Sequence, residues 1–256
     1  MNNSPIGLFD SGMGGLSIWR ELYTHLPNES LLFFGDGVRC PYGSKSKEQI
    51  LSYTVEAVER LIAEGCKLIV IACNTATAVA IEHLRATYPH IPFVGLEPAV
   101  KPAALSSKSG CVAVLATKRS LEGELFTATS ARYADRVNIL KAVGEGFVEL
   151  VEQGLENSPE AEACVSRVVE PLIAAGADKI VLGCTHYPFL KDTIERVIAN
   201  REVEVIDSGE AVCRRVEQLL DSNSLRAESQ NKASYRFLTL ADESYLQMLE
   251  KRAYGY

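Results

Sequence analysis

An eleven-residue segment occurs twice in this chain, and the repeat limits the possible folds more than any other feature of the sequence. Residues 65–75 read Gly-Cys-Lys-Leu-Ile-Val-Ile-Ala-Cys-Asn-Thr, and residues 176–186 read Gly-Ala-Asp-Lys-Ile-Val-Leu-Gly-Cys-Thr-His. Each copy passes from a glycine through a short apolar run to a small residue, a cysteine and polar residues, and a helical pattern follows each copy. The copies lie 111 residues apart (176 − 65), so the sequence predicts two similar α/β domains.

Short apolar runs alternate with amphipathic segments along the chain. Helical spacing follows the capping-box pattern Ser46-Lys47-Glu48-Gln49, and Ser158-Pro159 can open a second helix. The predicted strands are residues 6–9, 31–34, 68–72, 91–94, 112–115, 180–182 and 203–206. This alternation indicates an α/β fold with mainly parallel sheets, in which ligands bind beyond the carboxyl ends of the strands.

We therefore expect two pseudo-symmetric α/β domains with the active site in the cleft between them. A boundary near Glu97-Pro98 is expected, because Pro98 and Pro102 interrupt the pattern. Residues 221–232 are polar and predict a surface loop before a short final strand and helix. Asp10-Ser11-Gly12 after the first predicted strand is echoed by Asp207-Ser208-Gly209 after a later one.

Composition excludes several classes of protein. The net charge is −7 and Lys and Arg form no block, so we expect no nucleic-acid partner. No apolar run approaches the roughly 20 residues of a membrane span, and the amino terminus lacks the regions of a signal peptide. We expect a cytoplasmic protein without a membrane partner. Its seven cysteines are expected to be free thiols in a reducing compartment.

Cys73 and Cys184 differ from the other cysteines because they occupy equivalent places in the repeat. Each follows a predicted strand and precedes a predicted helix, and helix N-termini lower the pKa of a thiol. The hydroxyls, amide and backbone N–H groups that follow them suit the binding of a carboxylate. Two acid/base thiols in facing domains fit a racemase, because one can remove a proton from Cα and the other can return one to the opposite face.

The two cysteines fit other functions less well. Neither has a CxxC partner, so no metal site is predicted, and a cysteine hydrolase would need only one thiol and one base. A redox dithiol protein is disfavoured by the 111-residue separation. A non-catalytic amino-acid binding module stays open, since it would need the carboxylate-binding residues but neither thiol. Gly12-Met13-Gly14-Gly15 is not G-x-G-x-x-G, and no cofactor is predicted.

With these motifs in view, the sequence resembles the glutamate racemase family over nearly its whole length. The resemblance rests, in this order, on Phe9–Gly15, Pro41-Tyr42-Gly43, Ala72–Ala76, Leu115-Ala116-Thr117 and Leu182–Pro188. It implies a cofactor-independent enzyme that interconverts L- and D-glutamate, with D-glutamate going into peptidoglycan. The nearest alternative is an aspartate or hydantoin racemase of the same fold and chemistry.

The resemblance also implies roles for individual residues. Cys73 and Cys184 are the implied proton donors and acceptors, and Asp10 assists Cys73 or holds the substrate ammonium. His186 and Glu152 are implied to support Cys184. The implied contacts to the substrate come from Asp10, Ser11, Tyr42, Gly43, Asn74, Thr75, Thr117, Thr185 and His186.

The resemblance further implies that the carboxyl-terminal tail returns to the first domain. The domains would then be residues 1–97 with 208–256, and residues 98–207; we also expect a homodimer. The chain departs from the family at Gly144-Glu145, where many members have Cys-Pro, so Glu145 and Glu149 stay open beside Glu152 as the support of Cys184. Ser120 stands where Thr is common in the family. The sequence shows no long amino-terminal extension, so activation through such a segment is not expected.

Overall fold

Two separate parallel β-sheets organise the chain, which a computed structural model describes from residue 1 to residue 255. The chain divides into unit 1, which contains Met1–Leu96 and the segment from Gly209 onward, and unit 2, which contains Glu97–Ser208. The strands are β1 (Ile6–Asp10), β2 (Leu31–Gly35), β3 (Leu68–Ile71), β4 (Phe93–Gly95), β5 (Cys111–Ala116), β6 (Asn138–Val143), β7 (Lys179–Gly183), β8 (Glu204–Ile206) and β9 (Tyr235–Thr239). The predicted α/β class with mainly parallel sheets is confirmed.

Helices connect the strands. They are α1 (Leu16–His25), α2 (Lys47–Ala63), α3 (Asn74–Thr87), α4 (Val100–Ser106), α5 (Lys118–Leu121), α6 (Glu124–Ala131), α7 (Phe147–Glu152), α8 (Pro159–Ala174), α9 (Lys191–Ile198), α10 (Gly209–Ser222) and α11 (Glu243–Ala253). Short 3₁₀ turns cover Gly37–Arg39, Tyr42–Ser44 and Tyr187–Leu190. None of the helices described between residues 1 and 255 has the length and apolar composition to cross a membrane.

The two sheets share one strand order. Unit 1 has the order β4-β3-β1-β2-β9 and unit 2 the order β6-β5-β7-β8, and all neighbouring strands are parallel. Because β3 and β7 are the repeated strands, β4-β3-β1-β2 corresponds to β8-β7-β5-β6. The additional strand of unit 1 is β9, which pairs with β2. The sequence repeat therefore extends to a four-strand structural repeat.

The strand registers show which residues of β1 and β5 are equivalent, although the sequence motifs do not align them. Phe9 pairs with Ile71, and Leu115 pairs with Leu182, which lies 111 residues after Ile71 (182 − 71). Two positions further on, Ser11 and Thr117 are therefore equivalent.

The echo between Asp10 and Asp207 is not part of this repeat. Asp207 follows β8, which is the counterpart of β4, whereas Asp10 ends β1. The two aspartates lie at the ends of strands that occupy different positions in their sheets, so the common Asp-Ser-Gly sequence does not indicate equivalent structural positions.

Each repeat begins with a glycine that ends the preceding helix. Gly65 (φ 79°) follows α2 and Gly176 (φ 93°) follows α8, both with left-handed backbone. In each case the glycine N–H donates to the carbonyl three residues back, and the next N–H donates to the carbonyl five residues back. This is a Schellman motif, whose left-handed position favours glycine.

The predicted helix starts are confirmed. Ser46 caps α2: its hydroxyl accepts from the Gln49 N–H, and the Gln49 side chain accepts from the Ser46 N–H. Ser158 caps α8 by accepting from the Ala161 N–H, with Pro159 in the first turn. These caps satisfy N–H groups that would otherwise have no partner within the helix.

Two elements differ from the prediction. β6 lies at the edge of its sheet, none of its residues is buried, and Lys141 interrupts it, so it presents no continuous apolar run. The segment after Cys184 does not pass directly into an α-helix, because the 3₁₀ turn comes first and α9 begins at Lys191. Pro188 has no N–H to donate to the Cys184 carbonyl, which accepts from the Tyr187 N–H instead, as in a 3₁₀ turn. The Cys73 carbonyl accepts from the Thr77 N–H, as in an α-helix.

Candidate active site

In unit 1, the polar residues of interest lie at the carboxyl ends of three adjacent parallel strands. Asp10 ends β1, Asp36 follows β2 and Cys73 closely follows β3. Asp10 and Asp36 are fully buried, and Cys73 is 5% exposed. Adjacent parallel strands end at the same edge of a sheet, where α/β proteins bind their ligands.

Cys73 is the N-cap of α3. Its Sγ accepts a hydrogen bond from the Ala76 N–H at 3.4 Å, and Oγ of Ser11 lies 3.4 Å from the same sulfur. A helix N-terminus and a hydroxyl donor both favour negative charge on the sulfur. The prediction that this thiol lies at a helix N-terminus is confirmed, whereas for Cys184 it is wrong because the 3₁₀ turn separates it from α9.

The Asp10 carboxylate holds the turn after β1. Its Oδ1 accepts from the Gly12 N–H at 2.8 Å. Gly15 approaches so closely that an added Cβ would lie 2.6 Å from the Asp10 Cβ, which accounts for this glycine without a nucleotide site. Asp10 thereby fixes the turn that places Ser11 beside Cys73.

A buried network holds Tyr42. The Tyr42 hydroxyl donates to Oδ2 of Asp36 at 2.7 Å, and Nε of Arg39 lies 2.6 Å from the same oxygen. Burial raises the pKa of the Tyr42 phenol well above its usual range, and the hydrogen bond to Asp36 raises it further. Gly43 follows Tyr42 in the same 3₁₀ turn.

Asp36 and Arg39 are absent from the residues predicted by sequence. The signal that could have found Asp36 is its position directly after a fully buried strand, which parallels that of Asp10. Arg39 carries no such signal, because its ion pair with Asp36 becomes visible only in three dimensions.

Asn74 and Thr75 open α3 directly after Cys73, and both are buried. The Nδ2 atom of Asn74 is buried without a hydrogen-bond partner. A buried donor left unpaired costs about 1–3 kcal/mol, and a ligand carboxylate would satisfy it.

In unit 2, Thr117 and Cys184 follow adjacent strands whose last residues, Ala116 and Gly183, pair with each other. An added Cβ at Gly183 would lie 2.9 Å from the Ala116 Cβ, so the close approach requires glycine. Thr117 caps α5 by accepting from the Ser120 N–H at 3.3 Å, and the two hydroxyl oxygens are 2.9 Å apart. Serine at position 120 thus still makes a contact to Thr117.

A chain of contacts leads from Cys184 to a carboxylate. The Cys184 Sγ lies 3.9 Å from Nδ1 of His186, and Nε2 of His186 lies 2.6 Å from Oε1 of Glu152 at the end of α7. Cys184, Thr185 and His186 are buried, and the Glu152 side chain is 18% exposed. An imidazole between a thiol and a carboxylate can exchange a proton with the thiol.

Of the three glutamates considered by sequence, Glu152 is the one in contact with His186. Glu145 and Glu149 are exposed and line a separate groove of about 500 Å³ beside Cys164 and Arg167. The Leu-Val-Glu ending that singles out Glu152 in the sequence corresponds to the last turn of α7.

Comparisons with known proteins identify the family to which this chain belongs. The family model for Asp/Glu/Hydantoin racemase matches residues 20–216. The glutamate racemase of Ectopseudomonas mendocina is 46% identical over 236 residues, which are 91% of this chain and 89% of that protein. The glutamate racemase of Roseiflexus sp. is 46% identical over 221 residues, 86% of this chain and 81% of its own.

Solved structures extend the similarity to the whole fold. Glutamate racemase isoform RacE1 from Bacillus anthracis has a TM-score of 0.87 at 30% identity, covering 100% of this chain and 96% of its own. Escherichia coli glutamate racemase, solved with L-glutamate and the activator UDP-MurNAc-ala, has a TM-score of 0.85 at 32% identity, covering 97% and 95%. The resemblance found in the sequence is thereby confirmed, and the chain belongs to the Asp/Glu/hydantoin racemase family.

Proposed function

We propose that this chain is a glutamate racemase that interconverts L- and D-glutamate by proton transfer at Cα. The equivalence of Cys73 and Cys184 carries the proposal, because each follows the repeated strand of its own unit and each sulfur has a polar neighbour. Glutamate as the substrate is supported by relatives at 41–46% identity that are glutamate racemases.

The two thiols divide the reaction between them. One thiolate removes the Cα proton and becomes a thiol, and the other thiol then donates its proton to the opposite face and becomes a thiolate. In this proposal, Cys73 deprotonates the D-isomer and Cys184 the L-isomer. The first residues of α3, Asn74 and Thr75, and the residues between Cys184 and the following 3₁₀ turn, Thr185 and His186, supply polar groups that bind the substrate.

Supporting roles follow from the contacts within each unit. Ser11 and the Ala76 N–H stabilise the Cys73 thiolate, and Asp10 fixes that turn or holds the substrate ammonium. His186, held by Glu152, relays the proton of Cys184. The residues proposed to bind the carboxylates and amine are Ser11, Tyr42, Gly43, Asn74, Thr75, Thr117, Thr185 and His186.

The cellular setting is proposed from the same chemistry. D-glutamate would go into peptidoglycan, and a reducing compartment such as the cytoplasm would keep the active thiols free. We also propose a homodimer. The proposed domains of each chain are residues 1–97 with 208–256, and residues 98–207. Sedimentation would test the dimer. We also predict that activity needs neither a metal nor a cofactor, so it should survive dialysis against a chelator.

Optical rotation tests the reaction directly. Purified protein should convert each enantiomer of glutamate to the racemate, and in D₂O the product should gain deuterium at Cα. Aspartate should react far more slowly, because donors set for a carboxylate one methylene further out stay unpaired at about 1–3 kcal/mol each. Comparable turnover of aspartate would favour the aspartate racemase, and binding without conversion would favour a binding module.

A further inference from the structure

The Arg39 side chain links the turn that carries Tyr42 to helix α2. Its Nη1 donates to Oε2 of Glu56 at 2.8 Å, and its Nε lies 2.6 Å from Oδ2 of Asp36. The guanidinium carbon lies 4.2 Å from the centroid of the Tyr53 ring. The Arg39 side chain is 17% exposed and that of Asp36 is fully buried, so this ion pair forms largely away from water, whereas the Glu56 side chain is 43% exposed.

Tyr42 is held from two sides by the groups that Arg39 touches. Its hydroxyl donates to Asp36, which is Arg39's ion-pair partner. Its ring packs against Tyr53 at a centroid distance of 5.9 Å, and against Phe9 at 6.1 Å. Arg39 therefore contacts both the hydrogen-bond acceptor and one ring neighbour of Tyr42.

We propose that Arg39 is a positioning residue that fixes Tyr42 for substrate binding by holding Asp36 and Tyr53 in place. The inference rests on the proposed function, in which Tyr42 contacts glutamate. A cation beside a buried carboxylate stabilises its ionised form, and an ionised carboxylate accepts the phenol hydrogen more strongly than a neutral acid does.

Arginine suits this position better than lysine. Its planar fork reaches Asp36 and Glu56 together while its face rests on the Tyr53 ring. A lysine ammonium is a single point charge that cannot do all three. The charge and the shape of Arg39 can therefore be separated by substitution.

Steady-state kinetics with both glutamate enantiomers test the proposal. Arg39→Gln should raise KM about 10-fold for both enantiomers, with a smaller change in kcat, because an interaction in binding is lost. Arg39→Lys should give an intermediate KM. Tyr42→Phe removes the hydrogen bond to Asp36, which is one of the two routes from Arg39 to Tyr42, so in that background Arg39→Gln should raise KM by a smaller factor than in the wild-type protein.

The matched control is Arg60→Gln, which removes only an exposed ion pair to Glu56 and should leave KM unchanged. Equal KM factors for Arg39→Gln in both backgrounds, or a fall in kcat with unchanged KM, would overturn the proposal. If thermal unfolding shows that Arg39→Gln does not fold, Arg39→Lys replaces it in the same cycle.

The proposed function can fail separately. If the wild-type protein binds glutamate in calorimetry but does not racemise it, the racemase assignment is wrong, and Kd replaces KM in the same cycle to decide the role of Arg39. If the wild-type protein neither binds nor racemises glutamate, both the function and the positioning role are overturned.

Discussion

The Nε2 atom of His186 lies 2.6 Å from Oε1 of Glu152, and this contact determines which nitrogen of the ring faces Cys184. A carboxylate accepts the Nε2 hydrogen, so a neutral imidazole presents the Nδ1 lone pair to the sulfur 3.9 Å away. The ring can therefore accept the proton of Cys184 and return it. In the proposed mechanism, Glu152 acts by fixing the tautomer rather than by touching the thiol.

Substitution of Glu152 tests this relay. Glu152→Gln can offer His186 either an oxygen or an NH₂ group, so the tautomer is no longer fixed. We expect turnover of L-glutamate to fall about 10-fold, less than the roughly 10²-fold for losing a general acid or base outright. The matched control is Glu149→Gln, since Glu149 is exposed on the same helix. Equal effects of the two substitutions on kcat would contradict the relay.

The two-thiol division predicts different losses for racemisation and elimination. Serine is too weak an acid to replace either thiol, so Cys73→Ser and Cys184→Ser should each reduce turnover in both directions by more than about 10²-fold. Elimination from an analogue with a leaving group on Cβ needs only proton removal. Cys73→Ser should still eliminate from the L-analogue, and Cys184→Ser from the D-analogue.

A third cysteine supplies the control for this experiment. Burial raises the pKa of Cys66 to about 12, so this thiol stays protonated near neutral pH and cannot serve as a base. Cys66→Ala should therefore leave racemisation unchanged. Near-normal racemisation by either serine variant, or equal processing of both analogues by one of them, would disprove the two-base assignment.

The sequence predicts best those features that depend on local chemistry. The Ser46 capping box, the Pro159 helix start and the strands of the repeat are encoded within a few residues, and all three are found. The Asp36–Arg39–Tyr42 network is different. Its members lie within residues 36–42, but no local pattern indicates their contacts, because these depend on α2 packing against the turn.

Edges and prolines account for the remaining differences. β6 is half exposed at the edge of its sheet, so burial does not impose a continuous apolar run on it. The repeat suggested the same helix start after both cysteines, yet Pro188 has no counterpart among the residues after Cys73. One proline therefore changes the surroundings of the second thiol, and His186 provides the partner that the helix N-terminus provides for the first.

A buried ion pair and its hydrogen bonds connect four distant segments of unit 1. Lys67 Nζ lies 2.5 Å from Oε2 of Glu29 and donates to the Asn2 carbonyl, while Oε1 of Glu29 accepts from the Ala227 N–H. Both side chains are at most 3% exposed. Lys67→Met leaves the Glu29 charge buried and unpaired, so urea denaturation should show a loss of about 3–5 kcal/mol in the free energy of unfolding.

The matched control for Lys67 lies in unit 2. Lys179 pairs with Glu204, whose side chain is 62% exposed, so Lys179→Met should cost at most about 1 kcal/mol. Combining Lys67→Met with Glu29→Gln should recover part of the lost stability, because the unpaired charge is removed. Equal destabilisation by the two lysine substitutions would show that burial does not determine the effect.

Asp178 occupies the position in the second repeat that Lys67 occupies in the first (178 − 67 = 111). The pKa of its carboxyl group makes the stability of the protein depend on pH. Burial alone would raise the pKa of its carboxyl, but hydrogen bonds from the Ser107 hydroxyl and the N–H groups of Lys108 and Ser109 outweigh burial and hold it at about 2. Because this pKa lies below the value of about 3.9 for an unfolded chain, the carboxylate stabilises the fold fully above about pH 4, and the contribution is lost as the pH falls towards 2. Asp178→Asn should therefore destabilise the protein by about 1–3 kcal/mol at pH 7 and by progressively less below pH 4, measured by urea denaturation across this range.

Asp221→Asn is the control, since Asp221 is bonded to Arg226 at the exposed surface, and its substitution should have little effect on stability at either end of the range. A difference between wild type and Asp178→Asn that stays constant from pH 7 to pH 3 would rule out the proposed role of the carboxylate.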